Sequence, residues 1–158
     1  MTTSTTKPAR MPPRWFVRTA WSVHRNLYRF SGGRFGLRRA TDDRWGMMRL
    51  ITSGRRSGQE RGVILGYFDD GPNLVTMAMN GWGEAEPAWW LNLQAHPDVK
   101  VHLPGNTWRQ VTGRAAQGDE RSRLWERWGH YDKNLDQFAA RRPGETAVVV
   151  LEPSGGDG

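Results

Sequence analysis

Two short apolar runs, Trp45 to Ile51 and Val63 to Phe68, are split by Thr52-Ser53-Gly54-Arg55-Arg56-Ser57-Gly58-Gln59-Glu60-Arg61, and that arrangement commits the middle of the chain to a β-hairpin. The connecting stretch is basic and punctuated by glycine. Gly54 and Gly58 permit backbone conformations with φ > 0, so successive N–H groups can converge on one anion. Arg55, Arg56 and Arg61 add forked cationic donors suited to phosphate, with Ser53 and Ser57 as hydroxyl neighbours. The stretch reads either as an anion clamp or as a solvated basic turn. It is not a nucleotide-binding P-loop, because Gly-x-x-x-x-Gly-Lys-Ser/Thr is absent.

From the hairpin the period-two pattern continues. Asp69-Asp70-Gly71-Pro72-Asn73 is a turn, and Asn73 to Met79 is a third strand, giving three antiparallel strands in sequence. Glu86 to Ala95 reads as a short helix with Pro87 in its first turn, ended by Pro97. Asp98 to Leu103 and Thr107 to Ala116 are further strands around Pro104-Gly105-Asn106. Gly118-Asp119-Glu120 opens a helix carrying Leu124, Trp125 and Trp128, and Asp132 to Ala140 is another short one. Thr146 to Leu151 is a last, wholly apolar strand, with Glu152 onward a tail. Six strands without regular helix alternation predict a mainly β fold with short helices (α+β), a small closed or half-open barrel, in which closure hides the sheet edges.

Upstream, the pattern has the helical period. After Pro12-Pro13, the residues Phe16, Val17, Ala20, Trp21, His24, Leu27 and Tyr28 fall on one face, with Arg14, Arg18, Arg25 and Arg29 largely opposite. This basic amphipathic helix packs on the domain or lies on an anionic membrane surface. The expected organisation is a disordered tail over residues 1–12, helix and connection over 13–44, barrel over 45–153 and tail over 154–158. A net charge of +7 favours anionic partners, which leaves a nucleic-acid or membrane-surface binder as a competing reading. With no cysteine in the chain, thiolate nucleophiles, disulfides and zinc-thiolate sites are excluded, and a cytoplasmic location is expected. His24, His96, His102 and His130 lack metal-ligand spacing, so no metal is expected.

The string 52–61, then Met79-Asn80-Gly81, then Pro87-Ala88-Trp89-Trp90-Leu91-Asn92-Leu93-Gln94-Ala95-His96-Pro97, and finally Val148 to Pro153 resemble the deazaflavin-dependent nitroreductase family of actinobacteria. The resemblance runs in order from about Leu50 to Pro153 and implies a six-stranded split β-barrel of the flavin-mononucleotide-binding kind. It also implies coenzyme F420 as cofactor, with flavin mononucleotide (FMN) as the alternative. By the same resemblance Ser53, Gly54, Arg55, Arg56, Ser57, Gly58 and Arg61 hold the cofactor phosphate. Ala78 and Met79 lie along the deazaflavin ring, with Asn80 and Gly81 towards the phosphate or ribityl chain, and Trp89 and Asn92 complete the pocket. The implied reaction is hydride transfer to a small quinone, enone or nitro-type acceptor, with Tyr67 and Tyr131 as candidate proton donors. Nitro reducers of the family carry tyrosines where this chain has Asp132, Leu135 and Phe138, and some members carry lysine at the position of Asn80. The alternative function is a non-catalytic barrel holding FMN, haem or lipid. A homodimer and peripheral membrane contact through the N-terminal helix are the remaining partner expectations.

Overall fold

The computed structural model of the protein describes residues 36–79 and 85–154. The basic N-terminal helix expected over residues 13–30 lies outside the described residues, as do Asn80 and Gly81. The elements are β1 (Gly46–Ser53), β2 (Glu60–Asp70), β3 (Asn73–Met77), α1 (Ala88–Ala95), β4 (Asp98–Leu103), β5 (Thr107–Ala115), α2 (Gly118–Tyr131), α3 (Leu135–Ala139) and β6 (Val148–Pro153). The six strands close into a barrel in the order β1-β2-β3-β6-β5-β4, every pairing antiparallel. The seam that closes it is β1 on β4, where Leu50 stands opposite Val101.

Strand alternation sorts the side chains into two cores. Met48, Leu50, Leu65, Tyr67, Leu74, Val99, Val101, Val111, Val149 and Leu151 fill the barrel, joined by Trp89, Trp90 and Leu93 of α1. On the outer side, Leu124, Trp128 and Leu135 of α2 and α3 pack against Phe68, Val75, Met77, Val148 and Val150. Both faces of β3 and β6 are therefore buried, and that is why these strands read as continuous apolar runs instead of alternating. Gly113 is required by this packing: a Cβ there would stand 2.6 Å from a methyl of Leu93.

Element ends differ from the sequence expectation for identifiable reasons. β3 stops at Met77 and not Met79, because the Met79 N–H turns back to the Met77 carbonyl and the Ala78 carbonyl is taken by Arg142. β6 runs on to Pro153, since Glu152 pairs with Thr112 and its carboxylate meets Arg114. Pro87 caps α1 from outside its first turn, and α2 begins after Gln117 with no side-chain cap, so Asp119 and Glu120 act only as first-turn charges. The β2–β3 connection is the two-residue Gly71-Pro72, with Gly71 at φ 58°, instead of an Asp-Gly turn.

One polar tie joins the end of β2 to α2. Arg123 donates from both terminal nitrogens to Asp70, each at 2.9 Å, and Arg127 lies 3.6 Å from the same carboxylate. The Arg123 hydrogen bonds hold Asp70 below the usual carboxylate range, against the opposing effect of burial. The folded state thus binds this proton less tightly than the unfolded one. The contribution to stability is present above the ordinary aspartate pKa and is lost as pH falls below it. Urea midpoints measured between pH 6 and pH 2.5 are expected to fall less steeply for Asp70→Asn than for the parent chain. Parallel slopes would show that the pair contributes nothing.

Candidate functional site

The β1–β2 loop is built by its own backbone and then fastened to α1. The Gly54 N–H donates to the Gln59 carbonyl and the Gly58 N–H to the Gly54 carbonyl, both at 2.8 Å, and the Gln59 N–H donates to the Ser57 hydroxyl at 3.2 Å. Only Gly58 takes a positive φ, 69°, so it alone is required for conformational reasons. Gly54 is needed for space instead, because a Cβ there would sit 2.7 Å from the Ser57 hydroxyl oxygen. The sequence expectation that both glycines serve left-handed backbone is corrected accordingly.

Asn92 is the fastener. Its side chain is buried at 5 % exposure, and its carbonyl oxygen accepts from the Arg55 N–H at 3.1 Å and from the Arg55 guanidinium at 3.0 Å. Arg55 is thus committed to holding the loop on α1. Arg56 and Arg61 are exposed, and neither has a side-chain partner among the described residues. The backbone N–H groups of Arg56 and Ser57, at the loop tip, likewise have no acceptor there. Two adjacent amides and two exposed guanidinium groups on one loop are donors of the kind that suits a phosphate. Lys100, on neighbouring β4, is paired with Glu60 at 3.2 Å.

Replacing Asn92 by leucine keeps the bulk but removes the acceptor that Arg55 uses twice. Each lost hydrogen bond costs about 1 kcal/mol net, so the loop is expected to loosen while the barrel persists. Anion affinity should drop roughly tenfold. Isothermal titration of Asn92→Leu against the parent chain checks this, and equal affinities would remove Asn92 from the site.

The other expected residues separate. Ala78 is fully buried at the end of β3, and Met79 is half-buried and packs on the outer core. Trp89 and Trp90 are both buried in the barrel core, edge to face with ring centroids 6.3 Å apart. α1 can bury adjacent positions because it presses into the barrel instead of lying on a surface. Tyr67 points into the barrel at 3 % exposure, and its ring lies where a Cβ on Gly46 would be. Burial first, then the charge of Asp69, pushes its phenol above the ordinary tyrosine range, against the lowering effect of a hydrogen bond from the Ala40 backbone. Sealed in this way, Tyr67 is a poor proton donor. Tyr131 belongs to the outer aromatic cluster, stacked on Phe68 at 5.8 Å, and its hydroxyl donates to the Thr41 carbonyl at 3.1 Å.

Comparison with known proteins adds what geometry cannot. Residues 21–153 match the F420H(2)-dependent quinone reductase family. The chain belongs to that family. An F420H(2)-dependent quinone reductase of Mycobacterium tuberculosis is 30% identical over 132 residues, covering 82% of this chain and 87% of the relative, and a putative one of Mycobacterium bovis matches equally. Among solved structures, an F420-H2 dependent reductase, FDR-A, superimposes with a TM-score of 0.60 at 23% identity, over 67% of this chain and 93% of that one. The haem storage protein HutZ of Vibrio cholerae shares the fold with a TM-score of 0.54 at 10% identity, covering 70% of this chain and 82% of HutZ. The split barrel by itself therefore does not choose the cofactor, whereas the family does.

The burial of Arg142 was not legible in the sequence. This residue follows Arg141 and precedes Pro143-Gly144, a context that reads as exposed turn, and no local spacing marks it as buried. No helix among the described residues is long and apolar enough to cross a membrane.

Proposed function

We propose that the protein reduces a small quinone by hydride transfer from reduced F420 held on the β1–β2 loop. The observation that carries this reading is the β1–β2 loop, whose exposed Arg56 and Arg61 and whose Arg56 and Ser57 N–H groups have no partner among the described residues. The loop that carries them is fastened to α1 by the bonds from Arg55 to Asn92. An anionic phosphate fits that donor set, and an uncharged ligand would leave it unused. F420 carries such a phosphate, and when bound and reduced it supplies the hydride.

The chain's own residues bind, orient and exclude water. Arg56, Arg61 and the loop amides hold the phosphate end, and Arg55 with Asn92 keeps the loop in its binding shape before the cofactor arrives, so little ordering cost remains. Met79, half-buried just past the end of β3, is assigned to the ring, with Ala78 buried behind it. Conversion of a quinone to its hydroquinone needs one proton besides the hydride. With Tyr67 sealed in the barrel, that proton is assigned to water at the open side of the ring, and Tyr131 is assigned to the acceptor side as part of an aromatic wall.

The test is fluorescence titration with oxidised F420 and, separately, with FMN, followed by oxidation of reduced F420 in the presence of a short-chain naphthoquinone. Binding of F420 in preference to FMN, with quinone-dependent oxidation, is the expected result. Retention of F420 without turnover on any quinone would turn the reading to a carrier barrel, and binding of neither would end it.

A further inference from the structure

A buried arginine stands behind the strand end assigned to the cofactor ring. Arg142 has only 2 % of its side chain exposed. One terminal nitrogen donates to the Ala78 carbonyl at 3.0 Å and to the Thr146 hydroxyl at 2.8 Å, and the other donates to the Glu86 carboxylate at 3.2 Å. The Ala78 N–H is held in turn by the Ala147 carbonyl at 2.9 Å. Ala78 is thus gripped on both its polar groups by the segment that leads into β6.

Burying a guanidinium is costly unless several partners compensate, and an apolar residue would fill the space with less risk to the fold. What the arginine adds is direction. Its planar fork ties three separate pieces of chain in one plane: the exit of β3, the approach to α1 and the turn before β6. Ala78 and Glu86 also flank residues 80–84 in sequence. With its carbonyl taken by Arg142, Ala78 stands just past the strand end at Met77, and Met79 falls on the same outer face as Met77.

We propose that Arg142 is a positioning residue of the cofactor site: by clamping the Ala78 carbonyl against Glu86 and Thr146, it sets the position of the end of β3, and so of Met79, against which the deazaflavin ring rests. This inference rests on the F420 reading above. Arg142 touches neither cofactor nor acceptor, and its influence passes through the Ala78 carbonyl.

Arg142→Lys keeps the buried charge but cannot span the carbonyl and the carboxylate together. The folded variant is expected to bind F420 about tenfold more weakly by fluorescence quenching. Its kcat at saturating F420 should fall roughly tenfold or more, as misplacement by a fraction of an ångström would produce, with KM for the quinone nearly unmoved. In the cofactor-free protein, amide exchange at Ala78 and Met79 should accelerate. Glu86→Gln, at a residue with 38 % of its side chain exposed, keeps a neutral acceptor and should weaken F420 binding about threefold without loss of fold.

A purely structural role would lower the melting temperature of Arg142→Lys and leave the F420 Kd of the folded protein where it was, and that result overturns the proposal. If Arg142→Lys does not fold, Glu86→Gln decides: weakened binding supports the proposal and parental binding overturns it. Failure of the parent protein to bind F420 would be seen before any variant is made and would overturn the reading beneath both.

Discussion

Replacing Arg56 and Arg61 together by alanine should weaken F420 binding on the order of 100-fold while leaving the melting temperature within a few degrees of the parent's. Each guanidinium is exposed and makes no side-chain contact among the described residues, so its removal breaks nothing in the folded chain. A hydrogen bond to a charged group is worth about 1.5–3 kcal/mol, and two such losses multiply to that order. Exposure brings the effect towards the lower end and makes it sensitive to salt, so the titration belongs at both low and physiological ionic strength. Arg55→Ala is the instructive contrast. Its guanidinium is spent on Asn92 at 3.0 Å, so its loss should act through loop order, with a smaller change in affinity and weak salt dependence. If the Arg56/Arg61 double variant bound F420 within about threefold of the parent, the phosphate would not lie on this loop.

The largest effect on stability is expected at Trp128. It is fully buried, stacked on Trp45 with centroids 5.4 Å apart and tilted against Phe68 at 5.7 Å, and it anchors α2 to the outer faces of β3 and β6. Truncation of a buried aromatic to alanine costs about 3–5 kcal/mol, a large part of the roughly 5–15 kcal/mol that holds a domain together. Trp128→Ala should therefore lower the urea midpoint sharply. Trp128→Phe should cost much less, because the indole N–H is buried without a hydrogen-bond partner among the described residues and its removal relieves a desolvation cost of about 1–3 kcal/mol. Chemical denaturation of the two variants side by side measures this. Equal losses would mean that the indole N–H has a compensating interaction with the neighbouring rings, and a Trp128→Ala loss under 1 kcal/mol would mean that α2 is not held by this residue.

These two predictions draw on different layers of information. The amino-acid order by itself determined the strands, the short helices and the hairpin that carries the basic loop, because the period-two alternation, the glycine and proline turns and the proline that ends α1 act over a few residues. It also determined the family, since the loop motif and the Trp-x-Leu-Asn helix stand in order and at compatible spacing. Strand ends were less legible, because the Ala78 carbonyl leaves the ladder for an arginine 64 positions away.

Only the tertiary structure decided which of the candidate residues are available for chemistry. Arg55 and Arg56 are adjacent and alike in sequence, yet one is committed to Asn92, 37 positions on, and the other is exposed with no side-chain partner among the described residues. Tyr67 reads as a candidate proton donor until its ring is buried in the barrel core against Gly46. Arg142 reads as surface until Ala78, Glu86 and Thr146 converge on it. The reason is physical. Secondary structure follows from forces between near neighbours in the chain, whereas the burial of a charge, the satisfaction of a donor and the pKa of a phenol depend on groups that meet only after distant segments have paired.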